Sequence, residues 1–158
     1  MTVVFDTRNL DEHGRPRVDW GLDVELPTNV VAHLARSGSV RPVVFDGHHV
    51  VSAPGRLQLG RSTRIANAAQ RRVLRIWYPS CAMPDCPVRF AYTKAHHVVW
   101  WRHGGRTDLD NLLPLCERHH HRVHDDGWQL HLTPDRTLSI TYPDGSVRIT
   151  GPPGAVAA

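Results

Sequence analysis

Cys81 and Cys86 flank the four residues AMPD, and much further on Cys116 stands three positions before His119. No other feature restricts the fold of this chain as tightly. A tight turn brings the first two sulfurs to one point. If CERHH opens a helix, Cys116 and His119 share a face of it. Three sulfurs and one nitrogen then form a tetrahedral set of the kind that holds structural zinc. Such bonds replace burial that a small core among polar loops does not supply. The bland alternative is three buried thiols that merely pack.

His119, His120, His121 and His124 all lie on that expected helix. His120 and His124, four apart, stack on one face, while His119 points about 100° away from His120. His119 is therefore free to join the cysteines while His120 and His124 face something else. They are either a pair of nitrogen ligands for a divalent metal or a solvated face. A third ligand has to come from elsewhere, and the adjacent His96 and His97 of AHHVVWWRHGG (95–105) are available. In a regular strand these two point to opposite faces. Both serve one site only where a strand begins, ends or bends. Three neutral imidazoles leave positions on a metal open for a phosphate oxygen and a leaving oxygen. A further histidine, off the metal, takes a proton from water, and a nearby arginine holds the phosphate. That combination hydrolyses phosphodiesters.

The remaining composition fits this reading without forcing it. The chain has 158 residues and a formal net charge of +4, with Lys94 its only lysine. Arginine makes planar, multidentate phosphate contacts, so the balance suits a nucleic-acid partner, although many basic proteins have none. Three cysteines do not make a closed disulfide set. The start MTVVFDTRNLDEHG lacks a basic region followed by an apolar run, and no stretch approaches the roughly 20 apolar residues of a membrane span. The expected setting is a reducing cytoplasm, where clustered cysteines and histidines more often bind metal than pair, with no membrane partner.

Along the chain, residues 1–25 carry no assignable pattern. LPTNVVAHLARSG (26–38) reads as a short helix stopped by Gly38. Two Val-Val runs around Asp46-Gly47 read as a hairpin, and NAAQRRVLRIWY (67–78) as a helix ended by Pro79. From Cys81 on, a strand-like run carries the paired histidines, Gly104-Gly105 is a turn, and WQLHLT and TLSITY form a terminal hairpin. The expected division is an N-terminal segment 1–66, a functional domain 67–150 and a disordered tail 151–158.

The run AHHVVWWRHGGRTDLDNLLPLCERHHHRVH, with CAMPDC upstream, resembles the HNH endonuclease family. It is similar in particular to actinobacterial HNH repeat proteins, in which the module follows a larger domain; residues 26–66 resemble the end of that domain. The resemblance implies an α+β fold: a ββα-metal (His-Me finger) core with a structural zinc knuckle, preceded by a short helix and a hairpin. It implies that His96 is a ligand of the catalytic metal and His97 the general base. Asn111 would hold the loop that orients the base, and His120 and His124 would complete the metal site. The knuckle maps onto Cys81, Cys86, Cys116 and His119, with His119 in place of a more usual fourth cysteine. Zinc would fill the knuckle, and Mg2+, Mn2+, Ni2+ or Zn2+ the catalytic site.

Apart from the resemblance, TDLDNLLPL could be a turn with capping acids at Asp108 or Asp110. Trp100 and Trp101 read as packing residues, and His48, His49, His103 and His131 as ordinary surface or packing histidines. The leading function is a metal-dependent endonuclease contacting backbone phosphates, with Arg102, Arg106, Arg118 and Arg122 as candidate contacts; the resemblance implies double-stranded DNA as the substrate. The alternatives are a non-catalytic, zinc-stabilised nucleic-acid-binding module and a redox or metal-storage protein.

Overall fold

The computed structural model describes residues 2–6, 27–37, 41–47 and 49–151. The expected tail lies outside the described residues except for Gly151, as does His48. Contacts divide the chain into two compact units, residues 1–55 and 56–158. In the first, β1 (Thr2–Asp6) runs parallel to β2 (Arg41–Asp46), which pairs antiparallel with β3 (His49–Ser52). The Asp46-Gly47 turn joins β2 to β3, with Gly47 at positive φ. The expected helix forms over Thr28–Ser37 as α1. Strand β1 had no local signal: its partner lies across α1, and parallel pairing depends on distant residues.

The second unit opens on a turn-rich segment that is pinned down. Leu59 N–H donates to Thr107 O, Thr107 N–H donates to Gly60 O, and Gly60 N–H donates to the Asp108 carboxylate. The turn-rich sequence GRLQLGRSTR hides these bonds because they use backbone groups. The boundary expected near residue 66 therefore falls inside this unit, which begins at Arg56.

Helix α2 (Ala68–Trp77) is started by a reciprocal capping box. Asn67 Oδ1 accepts from Gln70 N–H, and Gln70 Oε1 accepts from Asn67 N–H. Two of the helix's orphan donors are satisfied in this way. Ala69, Val73 and Leu74 are buried, and Pro79 prevents continuation.

Strands β4 (Thr93–His97) and β5 (Leu112–Cys116) form a two-stranded antiparallel sheet, with His96 opposite Leu113 and His97 opposite Leu112. All five residues of β5 are buried, which accounts for its unbroken apolar run. Helix α3 (Glu117–Asp125) starts directly from it, with Cys116 as N-cap. A meander of β6 (Gln129–Leu132), β7 (Leu138–Thr141) and β8 (Val147–Thr150) follows. The expected terminal hairpin is β6–β7. The third strand follows Asp144-Gly145, the same kind of turn signal that marked β2–β3. Leu113, Leu115, Val123, Leu138 and Ile140 form the common core.

One expectation is corrected. The strand-like run that carries the paired histidines does not continue into VVWW: the strand is TKAHH and ends on His97. Val98 and Val99 leave it because Asn111 takes up their backbone groups. The fold is mixed α+β with few helices and small sheets. No helix among the described residues is long and apolar enough to cross a membrane.

Candidate metal and active site

Two clusters of metal-ligating side chains form around α3. In the first, Cys81, Cys86, Cys116 and His119 are all buried, with their donor atoms within 4.8 Å of one another. His119 Nδ1 is 3.4 Å from both Cys81 Sγ and Cys116 Sγ, and Cys86 Sγ is 3.9 Å from Cys116 Sγ. Tetrahedral bonds of about 2.3 Å to sulfur and about 2.0 Å to nitrogen place sulfur pairs about 3.8 Å apart and sulfur–nitrogen pairs about 3.5 Å apart. These three donor pairs sit close to those edges, and Cys86 and Cys116 are far too distant for a disulfide. Burial pushes the Cys81 thiol up to about 12, with the neighbouring Cys116 and Cys86 adding to the rise. A cation reverses that cost by stabilising the thiolate, so the donor set fits a tetrahedral metal.

In the second cluster, His96, His120 and His124 bring their ring nitrogens within 4.8 Å of one another. The ring centroids are 5.2 Å apart for His96–His120, 5.1 Å for His96–His124 and 4.5 Å for His120–His124. One turn of α3 supplies the last two, and the end of β4 supplies His96. His96 is 2% exposed, and its Nε2 is buried without a hydrogen-bond partner. A buried polar atom without a partner is costly, and a cation held with His120 and His124 would supply one. Burial, then the neighbouring His120, His124 and His97, lowers the His96 pKa to about 3. Burial also lowers His120 and His124. All three rings are thus held neutral, the state in which imidazole binds metal. By contrast, His121 is exposed and raised by hydrogen bonds to Asp125 and Glu117, and it belongs to neither cluster.

His97 is half-buried beside this triad and outside it. Its pKa is lowered, first by burial and then by the Arg64 and Arg61 charges. The ring is therefore neutral and able to accept a proton at neutral pH. His96, His97, His120 and His124 all line one cleft of about 590 Å³. Trp100 packs its ring 4.4 Å from that of His124.

The loop between β4 and β5 is organised by Asn111. Its side-chain amide donates to Val99 O and Arg106 O, and its Oδ1 accepts from Val99 N–H. Its backbone O accepts from Val98 N–H. Each of these bonds goes to a backbone group, so Asn111 shapes the loop that follows His97. The Gly-Gly pair serves the same loop. Gly104 has φ of +88°, and a Cβ on Gly105 would lie 1.7 Å from Val99 O. The capping alternative for Asp108 does not hold: its carboxylate bonds Gly60 N–H and Arg106.

Of the arginines expected to meet phosphate, only Arg102 lines the cleft. Arg106 is paired with Asp108, Arg122 with Asp126, and Arg118 lies 3.4 Å from His119 Nε2. The cleft's other cations, Arg64, Arg71 and Lys94, were missed. Arg64 and Arg71 lie upstream of the cysteines, where only the proximity to α2 and to the pinned segment gives them a role.

The HNH endonuclease family model matches residues 81–126. An uncharacterized protein of Mycobacterium tuberculosis (strain CDC 1551 / Oshkosh) is 31% identical over 103 residues, which are 65% of this chain and 23% of that protein. Another, from strain ATCC 25618 / H37Rv, is 32% identical over 104 residues, 65% of this chain and 21% of the relative. A Mycobacterium bovis protein, also uncharacterized, is 28% identical over 104 residues, 66% and 21% of the two chains. The matched stretch is thus only about a fifth of the length of these relatives. No solved structure matches. The likeness to the HNH endonuclease family is thus carried by residues 81–126.

Proposed function

We propose that this chain is a metal-dependent endonuclease that hydrolyses phosphodiester bonds in double-stranded DNA through a ββα-metal site. The observation that carries the reading is the meeting of His96, His120 and His124 beside an unligated, neutral His97 in one cleft lined by cations. A divalent cation bound by His96, His120 and His124 supplies Lewis-acid stabilisation of the phosphoryl group. Cys81, Cys86, Cys116 and His119 would hold zinc, which would tie the knuckle to the start of α3.

The chain's own residues do the rest. His97 takes a proton from water as the water oxygen bonds to phosphorus. The ester P–O bond opposite breaks, its electron pair leaves with the departing oxygen, and that oxygen is protonated from solvent. Arg64, Arg71 and Arg102 draw the phosphate backbone into the cleft. Asn111 keeps the loop beyond His97 in shape, and the Trp100 ring supports His124.

Purified protein is incubated with supercoiled plasmid and Mg2+, Mn2+, Ni2+ or Zn2+ in turn, alongside His97→Ala. Wild type nicks and the variant does not. Absence of nicking with every metal, or equal cutting by His97→Ala, defeats the catalytic reading and leaves a zinc-stabilised nucleic-acid-binding module. Metal analysis finds about one tightly held zinc per folded chain; none at all defeats the knuckle.

A further inference from the structure

Thr107 is fully buried and is stitched to residues 59–70 by both its backbone and its side chain. Its N–H donates to Gly60 O, and its O accepts from Leu59 N–H and from the buried Gln70 amide. Its hydroxyl contacts two kinds of group. Thr63 O lies 2.7 Å from Oγ1, with Arg64 O at 3.4 Å, and His97 Nε2 lies 2.9 Å away.

Proton accounting settles the direction of this chain of bonds. A threonine hydroxyl has one proton and two lone pairs. A carbonyl only accepts, so a 2.7 Å contact with Thr63 O requires the hydroxyl proton to point there. Oγ1 then meets His97 with a lone pair, and Nε2 must carry the hydrogen. A neutral imidazole protonated on Nε2 has its lone pair on Nδ1. Nδ1 forms no hydrogen bond among the described residues.

We propose that Thr107 is a positioning residue that holds His97 as its Nε2–H tautomer, leaving Nδ1 as the atom that takes the proton from water. The proposal rests on the reading of His97 as the base. It also makes the segment around Thr63, outside the matched residues 81–126, part of the catalytic apparatus. When the proton passes from water to Nδ1, the imidazolium keeps its Nε2–H on Thr107 and the ring need not turn. The hydroxyl is itself held by Thr63, so the orientation of the base depends on a loop some thirty positions upstream in sequence.

The test uses the full chain, labelled with 15N in its histidines, at about pH 8 where the ring is neutral. Two-bond 15N–1H correlations report which nitrogen of His97 is protonated, and this needs no activity. The expected result is Nε2–H in wild type and in Thr107→Ser, which keeps the hydroxyl. Thr107→Val loses that preference, and its kcat for nicking falls about 10- to 100-fold, as for other loss of a partner that orients a site histidine, with KM unchanged. Thr107→Ser restores nicking. His97 protonated mainly on Nδ1 in wild type overturns the proposal, as does a folded Thr107→Val with wild-type tautomer and rate. A protein that never nicks but carries Nε2–H on His97 sinks the nuclease reading and upholds the tautomer assignment.

Discussion

His96 is buried deeply enough to resist protonation, and that makes it a source of acid sensitivity. Its folded pKa is about 3, lowered by burial and then by its histidine neighbours, against about 6.5 in an unfolded chain. Between those values the unfolded chain binds the extra proton. Stability from the neutral ring is therefore complete above about pH 6.5 and is lost as pH falls, at about 1.4 kcal/mol per pH unit. A cation on His96, His120 and His124 would be released in the same direction, since it needs neutral rings. His121 has the opposite sign, raised by Asp125 and Glu117, but it is exposed and solvent screens it. Urea unfolding between pH 7 and pH 5 should show stability falling, and His96→Gln should flatten the slope by about one proton. An unchanged slope in the variant would mean that His96 is not the buried neutral ring described here. No cue in HH alone distinguishes the two rings. Their difference arises because the strand ends between a face packed on α3 and a face turned to Thr107.

At the scale of elements, the turn between β6 and β7 carries a conflict that marks its purpose. Thr133 N–H donates to Thr137 O across the three residues Pro134, Asp135 and Arg136, and Arg136 N–H donates to Thr133 O. In such loops the third residue is left-handed and is usually glycine. Here it is Arg136, at φ +69°. Its guanidinium is buried, donates to Leu109 O at 2.6 Å and Leu112 O at 2.8 Å, and lies over the Trp77 ring. Those two carbonyls flank Asn111, so the meander grips the loop-shaping asparagine from outside the matched family stretch. Arg136→Gly separates the two effects. Relief of the left-handed backbone favours the variant by about 1 kcal/mol. Losing the guanidinium's two charge-assisted bonds to buried carbonyls costs about 2–4 kcal/mol, although Leu109 O keeps the Leu112 N–H. The second effect wins, so the variant should be less stable by about 1–3 kcal/mol in urea. A more stable variant would show that the guanidinium bonds contribute little. From the sequence, PDR reads as an ordinary hairpin turn. The departure from glycine was visible there, but its reason lies in residues that are distant along the chain.

For the molecule as a whole, what was legible followed from short-range spacing. The cysteine pair, the CxxH step and the i, i+4 histidines depend on one turn or one helix, and the structure brings those residues into two clusters. Asn67 and Gln70 cap a helix whose periodicity was equally plain. What could not be read were partnerships across loops: β1 with β2, the pinned segment 57–63 with Thr107, and Arg136 with the Asn111 turn. Backbone groups make most of these contacts, and backbone groups are the same at every position. That distinction sets where the chain can be cut. Residues 56–158 form a compact unit, and both histidine and cysteine clusters draw only on it. A chain beginning at Arg56 should melt cooperatively and nick plasmid as the full chain does. A chain beginning at Asn67 keeps every residue of both clusters but removes three partners of Thr107, namely Leu59 N–H, Gly60 O and Thr63 O, leaving Thr107 O only the Gln70 amide. It should bind zinc, melt earlier, and nick at least about 10-fold more slowly, since His97 loses its oriented partner. Comparing the two fragments by calorimetry, metal content and nicking rate isolates residues 56–66. Equal rates would mean that this segment only covers the domain and has no part in orienting the base.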